Sequence, residues 1–157
     1  MKLHVLAVGD RVPRWVDDAC AEYQHRFPPH CPLLIKAVPA PPRGRNPDIT
    51  KLKDKEYLAL SACIPPGALT IALEERGDAC TSAQLAESLG DWMQREKDVA
   101  FLIGGPDGLA PAALQRARRR WSLSPLTLPH ALARVMVVEQ LYRAWTIVSD
   151  HPYHRGH

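Results

Sequence analysis

Four short apolar runs punctuate the chain, and between them stand segments of helical periodicity. The runs are LHVLAV (Leu3 to Val8), PLLIKAV (Pro32 to Val38), ALTIAL (Ala68 to Leu73) and DVAFLI (Asp98 to Ile103). Each is too short for a buried helix and nearly continuous, which suits a strand covered on both faces, as in a parallel sheet. The intervening segments carry helix signals. Trp15, Val16, Ala19, Cys20, Tyr23 and Phe27 recur at helical spacing before Pro28-Pro29. Asp48 stands where it would cap a helix through Lys53 and Leu60, and Thr81 with Gln84 has capping-box spacing ahead of Leu85, Leu89, Trp92 and Met93. A fifth strand over Trp121 to Leu123 and a long apolar-rich helix from about His130 to Val148 complete the pattern. Strands alternating with helices predict an α/β fold with a mostly parallel sheet.

At 157 residues the chain suits a single domain, 1–157, with a core that needs no staples. Its four cysteines, at 20, 31, 63 and 80, include no C-x-x-C pair, which excludes zinc-ribbon and thioredoxin readings. The N-terminal apolar run is too short for a signal peptide, and no stretch approaches a membrane span. A reduced, cytoplasmic protein with free thiols is expected. The formal charge of +3 is mild, but its distribution is uneven. Arg116, Arg118, Arg119 and Arg120 crowd a segment read as helical, and Arg43, Arg45, Lys51, Lys53 and Lys55 crowd another. Each reads as a solvated face or as a patch for a polyanion.

Ligands of open α/β sheets bind beyond the carboxyl ends of strands. Two segments fall there. IGGPDG (Ile103 to Gly108) pairs glycines that let backbone approach a ligand, and it reads equally as a plain tight turn. LSPLTLPH (Leu123 to His130) is held in a fixed, non-helical course by two prolines. Its free backbone groups can bracket a polar ring between leucine walls, or it is a rigid loop into a helix. In the helix that follows, Glu139 and Arg143 stand at i,i+4. Leu132, Val135, Met136, Leu141, Tyr142 and Trp145 supply apolar surface for a subunit interface or for a well-covered core.

The chain closes on SDHPYHRGH, nine residues with three histidines, a tyrosine and an arginine. These groups can take a proton, stack on a base and hold a phosphate. The contrasting reading is a disordered end whose His151, His154 and His157 pick up metal adventitiously.

IGGPDG, WSLSPLTLPHALARVMVVEQLYRAW and HPYHR together closely resemble the RlmH (YbeA) family, ribosomal large-subunit pseudouridine N3-methyltransferases of the SPOUT superfamily. The similarity runs the whole length, through MKLHVLAVG, RFP at Arg26 to Pro28 and RGRNPDI in the basic loop. It implies a SPOUT-type fold with a deep C-terminal trefoil knot over roughly residues 68–157 and no appended RNA-binding domain. It implies a pocket for S-adenosylmethionine at Leu73, Gly104, Leu123, Ser124, Pro125, Leu126, Thr127 and Leu128, with no metal. It implies a homodimer packed through the knot and the C-terminal helix, and transfer of a methyl group to N3 of a pseudouridine in 23S rRNA of the assembled 70S ribosome. By similarity, Tyr153, His154 and Arg155 belong to the active site, reaching the pocket of the opposite subunit. His154 is the expected proton acceptor, and Arg155 orients the nucleotide. Arg43, Arg45, Arg116, Arg118, Arg119 and Arg120 become the candidates for RNA phosphates. The chain departs from the family pattern at Asp150, where asparagine is frequent, and at Asp107, where glutamate is. Rival functions are a non-catalytic RNA- or ribosome-binding module of the same fold, a methyltransferase for another RNA, and a flavodoxin-like nucleotide binder.

Overall fold

The computed structural model describes residues 1–95 and 97–156. Five parallel strands form one sheet among them: β1 (Leu3–Val8), β2 (Leu33–Val38), β3 (Leu69–Ala79), β4 (Val99–Ile103) and β5 (Arg119–Ser122), in the order β2-β1-β4-β3-β5. Helices α1 (Arg14–Gln24), α2 (Ile49–Ser61), α3 (Ser82–Gln94), α4 (Pro111–Arg116) and α5 (His130–Val148) connect and cover it. Side chains of a strand alternate between faces, and β1 divides accordingly. Leu3, Val5 and Ala7 join a core with α1, α3 and α5, whereas Leu6 and Val8 join a second core with Leu60 of α2 and Ala113 of α4. The central strand β4 is buried along its whole length, as a run without polar residues requires.

The capping signals act as read. The Asp48 carboxylate accepts from the Lys51 amide, and Thr81 and Gln84 close a reciprocal capping box at the start of α3. The last helix spans His130–Val148, matching the expected range. No described helix is long and apolar enough to cross a membrane.

Two segments differ from expectation. The third strand does not end at Leu73 but runs to Ala79. Its register against β5 jumps, so that Trp121 aligns with both Leu73 and Asp78. Residues 74–77 are therefore pushed out of the ladder as a bulge. Gly77 is needed there, because a Cβ would lie 2.8 Å from the Arg120 carbonyl carbon and oxygen. The sequence EERGDA is polar and reads as a loop; pairing with β5 at the sheet edge overrides that. The arginine cluster, in turn, does not lie on one helix. Only Arg116 belongs to α4, while Arg119 and Arg120 open β5. The amide of Arg118 bonds the Thr70 carbonyl at 2.9 Å, so the segment is captured by β3 instead of continuing as helix.

Candidate active site

All five strands run the same way, so their carboxyl ends share one edge of the sheet, and that edge is where the site forms. β3 delivers Leu73, β4 delivers Gly104 and β5 leads into the segment from Leu123. Leu73, Gly104, Leu123, Ser124, Leu126, Thr127 and Leu128 line one pocket, together with Ile103, Trp121 and His130. Pro125 lies among them in the chain but is not part of the lining. The bulge in β3 places Glu74 and Glu75 at the same pocket, and the Thr127 hydroxyl donates to Glu75 at 2.8 Å.

Residues 124–129 belong to neither helix nor strand, so no regular ladder consumes their amides and carbonyls. The Ser124 hydroxyl accepts from the Leu126 amide at 2.9 Å, and the Ser122 hydroxyl donates to the Ser124 carbonyl at 3.2 Å. These bonds fix the course of the loop between its prolines. Opposite it, a Cβ on Gly104 would lie 2.7 Å from the Gly108 carbonyl carbon, so only glycine permits this fold of the Gly-rich loop. Leucine walls, free backbone groups and two rim carboxylates suit S-adenosylmethionine, which has an apolar-faced adenine and a cationic sulfonium. The indole N–H of Trp121, buried with no hydrogen-bond partner, is a further donor beside this space.

A second cavity, of about 450 Å³, adjoins the first and shares Gly105, Pro106 and His130 with it. Its walls come from Val8 to Arg11 after β1, from the proline loop Pro39 to Arg43 after β2, and from Leu52 and Glu56 of α2. Arg43 pairs with Asp107 at 2.8 Å, and this bond holds the Asp107 carboxyl below its ordinary range. Arg134 secures the β1 corner from α5, donating to the Gly9 carbonyl at 2.8 Å. Sequence reading missed this cavity. Leu52, Glu56 and Leu60 are the buried residues of α2 and lie at i, i+4 and i+8. That spacing puts a glutamate on the apolar face, a signal hidden in the charged stretch KLKDKEYLAL.

The C-terminal tail forms a 3-10 turn, Pro152–Gly156. Tyr153 packs on Tyr142 at 4.8 Å between ring centroids, and the Arg143 guanidinium lies 5.2 Å from the Tyr153 ring centre. Arg143 donates to Glu139 at 2.7 and 3.0 Å, the intrahelical pair that their spacing predicts. Arg155 pairs with Asp150. Asp150 itself takes φ 57°, a left-handed conformation that ends α5. The Nδ1 atom of His154 is buried and makes no hydrogen bond. His157 lies outside the described residues, and among those residues no group of three or more His, Cys, Asp or Glu could hold a metal.

Tail and pocket do not meet within one chain. His130 at the start of α5 lines the pocket, and the tail follows its far end. Tyr153 reaches back along α5 only as far as Glu139, nine residues from His130 or roughly 14 Å at ~1.5 Å per residue. No residue from Asp150 to Gly156 lines the pocket. The arginines are likewise spread out. Arg43 stands at the second cavity and Arg45 on the exposed loop, while Arg118, Arg119 and Arg120 line a third, shallow depression with Arg76. Arg116 is exposed at the end of α4.

A family profile described as "Predicted SPOUT methyltransferase" matches residues 1–154. The chain belongs to the SPOUT methyltransferase family. Within it, the chain is 46% identical over 155 residues to "Ribosomal RNA large subunit methyltransferase H" of Thioalkalivibrio sulfidiphilus, covering 99% of each. It is 43% identical to the protein of that name from Hydrogenovibrio crunogenus, again over 99% of both. The SPOUT fold is also that of more distant solved structures. A probable methyltransferase from Bordetella pertussis superposes with a TM-score of 0.56 at 18% identity, over 90% of this chain and 95% of that one. TrmJ from Z. mobilis superposes with a TM-score of 0.54 at 19% identity, over 91% of this chain and 70% of that one.

Proposed function

We propose that this SPOUT protein methylates N3 of a pseudouridine in 23S rRNA, with S-adenosylmethionine as donor and the assembled 70S ribosome as substrate. The observation that carries the reading is the pocket at the strand ends, where Leu73, Gly104 and the Leu123–Leu128 segment converge. Relatives named for large-subunit rRNA methylation, matching end to end, support the substrate class. The reading includes the knot over roughly residues 68–157, a single domain and a cytoplasmic site of action, where ribosomes are.

S-adenosylmethionine supplies the methyl group: N3 bonds to its carbon as the carbon–sulfur bond breaks and S-adenosylhomocysteine leaves. N3 carries a proton that must depart for it to act as a nucleophile, and a positioned base contributes typically ~10²–10⁴-fold. His154 is our candidate acceptor, because the resemblance puts it in the active site and an imidazole nitrogen can take a proton. Tyr153 and Arg155 would position the nucleotide. No residue of the tail lines the pocket of its own chain, so the reading requires a homodimer in which each tail serves the partner's pocket. Leu132 at 37% and Val148 at 39% exposure leave apolar surface on α5 for that contact. On this reading RNA phosphates would fall to Arg43, Arg45, Arg116, Arg118, Arg119 and Arg120.

Labelled methyl transfer tests the reading in three reactions: 70S ribosomes lacking the modification, naked 23S rRNA, and ribosomes whose target uridine was never pseudouridylated. Label is expected in the pseudouridylated ribosomes alone. Clear binding of S-adenosylmethionine with no label in any of them would send the search to another RNA. Failure to bind the donor at all would favour a non-catalytic RNA-binding module.

A further inference from the structure

The cavity beside the candidate donor pocket contains a group with no structural task. Glu56 is 6% exposed, and its Oε1 atom is buried without a hydrogen-bond partner. Leaving a buried carboxylate oxygen unpaired is costly, and evolution of a stable helix has an easy remedy in leucine or methionine at this position. The side chain lies on the apolar face of α2 with Leu52 and borders the cavity. Its other oxygen lies close to the Gly-rich loop: a Cβ on Gly105 would be 3.0 Å from Oε2. The missing side chain of Gly105 thus leaves room for the carboxylate where the two cavities adjoin. Arg11 and Arg43 stand at the same cavity as cations for a phosphate.

We propose that this second cavity receives the target base turned out of its RNA stack, and that Glu56 accepts a hydrogen bond from the N1–H of that base. The inference rests on the pseudouridine reading above and deepens it. A base that is to be modified at a ring atom must leave the stack and be read on its edges. Pseudouridine is joined to ribose through carbon, so it keeps N–H groups at both N1 and N3. Methylation at N3 leaves N1–H as the one ring donor, pointing to the other side of the C2 carbonyl. Uridine carries its sugar on N1 and has nothing to donate there. With N3 turned towards the donor pocket where Gly105, Pro106 and His130 border both cavities, N1 faces the α2 side, where the unpaired acceptor waits. A carboxylate accepts only, so it rewards pseudouridine and leaves uridine with an unsatisfied buried charge. Glu56 is therefore a specificity residue, and Arg11 and Arg43 hold the backbone of the extruded nucleotide.

The test compares wild type, Glu56→Leu and Glu56→Gln on ribosomes with and without the pseudouridine, with affinity for S-adenosylmethionine as the control for folding. Removing a charge-assisted hydrogen bond lowers kcat/KM on pseudouridylated ribosomes by roughly 10–100-fold in Glu56→Leu. Transfer to the unpseudouridylated ribosomes, however slow in the wild type, should not fall with it, so the preference collapses. Glu56→Gln, which still offers a neutral acceptor, should fall between the two. An unchanged preference in Glu56→Leu, with donor affinity intact, would overturn the role of Glu56 while leaving the methyltransferase reading standing. Should the wild type methylate neither ribosome, both fall together. Loss of donor affinity in both variants would mark Glu56 as a structural support and overturn the proposal as well.

Discussion

The hydroxyl of Tyr153 donates to the Glu139 carboxylate at 3.0 Å, tying the last turn of the chain back to the middle of α5. The same hydroxyl lies 3.2 Å from that of Tyr23 on α1. Burial first, then Tyr23 and Glu139, drive the ionisation of Tyr153 far above the ordinary tyrosine range. A group whose pKa rises on folding stabilises the fold most where it is protonated. For Tyr153 that contribution is complete below the unfolded-state value of about 10 and is lost as pH rises beyond it. Tyr153→Phe should cost about 1 kcal/mol at neutral pH, the worth of one hydrogen bond. It should also lose less stability than the wild type in alkali. Urea midpoints measured across that range would show the two curves converging; parallel curves would mean that Tyr153 is not held as described.

No tail residue lines the pocket of its own chain, so the proposed dimer, in which each tail serves the partner's pocket, would make the two halves of the site separable. A chain with Gly104→Val keeps its tail but loses the loop that only glycine permits. A chain with Arg155→Ala keeps the pocket. Each variant alone should transfer almost no methyl. Mixed and reassembled, they should regain a substantial fraction of wild-type activity, since half of the mixed dimer carries an intact composite site. No recovery, with mixed dimers shown to form, would place tail and pocket on the same subunit.

Much of this arrangement is legible in the sequence because it rests on local chemistry. Four apolar runs, the Asp48 cap and the Thr81–Gln84 box each declare their element within a few residues. What was not legible depends on distant pairing. The polar stretch after Leu73 becomes strand only because β5 aligns beside it, and that pairing is what brings Glu74 and Glu75 to the pocket. The arginine segment leaves α4 because the Thr70 carbonyl captures Arg118. Glu56 is a different case. Its spacing from Leu52 and Leu60 was visible, but three flanking lysines made it look like part of a solvated face.

Gly104→Ala should separate the loop's two tasks. The added Cβ meets the Gly108 carbonyl carbon and oxygen and the Leu109 amide nitrogen at 2.7, 2.8 and 2.9 Å, all backbone atoms that cannot rotate away. Relieving that overlap costs roughly 1–3 kcal/mol of stability. It also shifts the floor of the pocket, so affinity for S-adenosylmethionine should fall by about 10-fold or more, the effect of losing ~1.4 kcal/mol. Calorimetric titration checks the affinity and thermal melting the stability. Wild-type affinity would show that the donor does not rest on this loop.

If the arginines contact phosphate, their removal should alter the dependence of binding on salt more than the choice of RNA. Arg116 and Arg118 are exposed and lie outside both cavities. Each phosphate contact contributes ~0.7–0.9 to the slope of log affinity against log salt. Changing both to glutamine should flatten the slope for ribosome binding by roughly 1–2 and leave the preference for pseudouridine untouched. An unchanged slope would remove this face from the RNA interface.

A group kept for a ligand should weaken the ligand-free fold, and Glu56 should do so. Burial and then the Asp107 charge push its carboxyl pKa up, against Arg43 and Lys53, which pull it down. A carboxyl whose pKa is raised on folding favours the fold below its unfolded value of about 4.3 and penalises it as pH rises through the folded value. Glu56→Leu removes the buried, unpaired oxygen and should raise stability at neutral pH by roughly 1–3 kcal/mol. The gain should shrink towards zero in acid, where the wild-type carboxyl is protonated. Stability gained where specificity is lost is the trade expected of a residue that waits for substrate. A Glu56→Leu protein less stable than wild type at neutral pH would instead mean that the carboxylate supports the fold, and that the cavity's acceptor must be sought elsewhere.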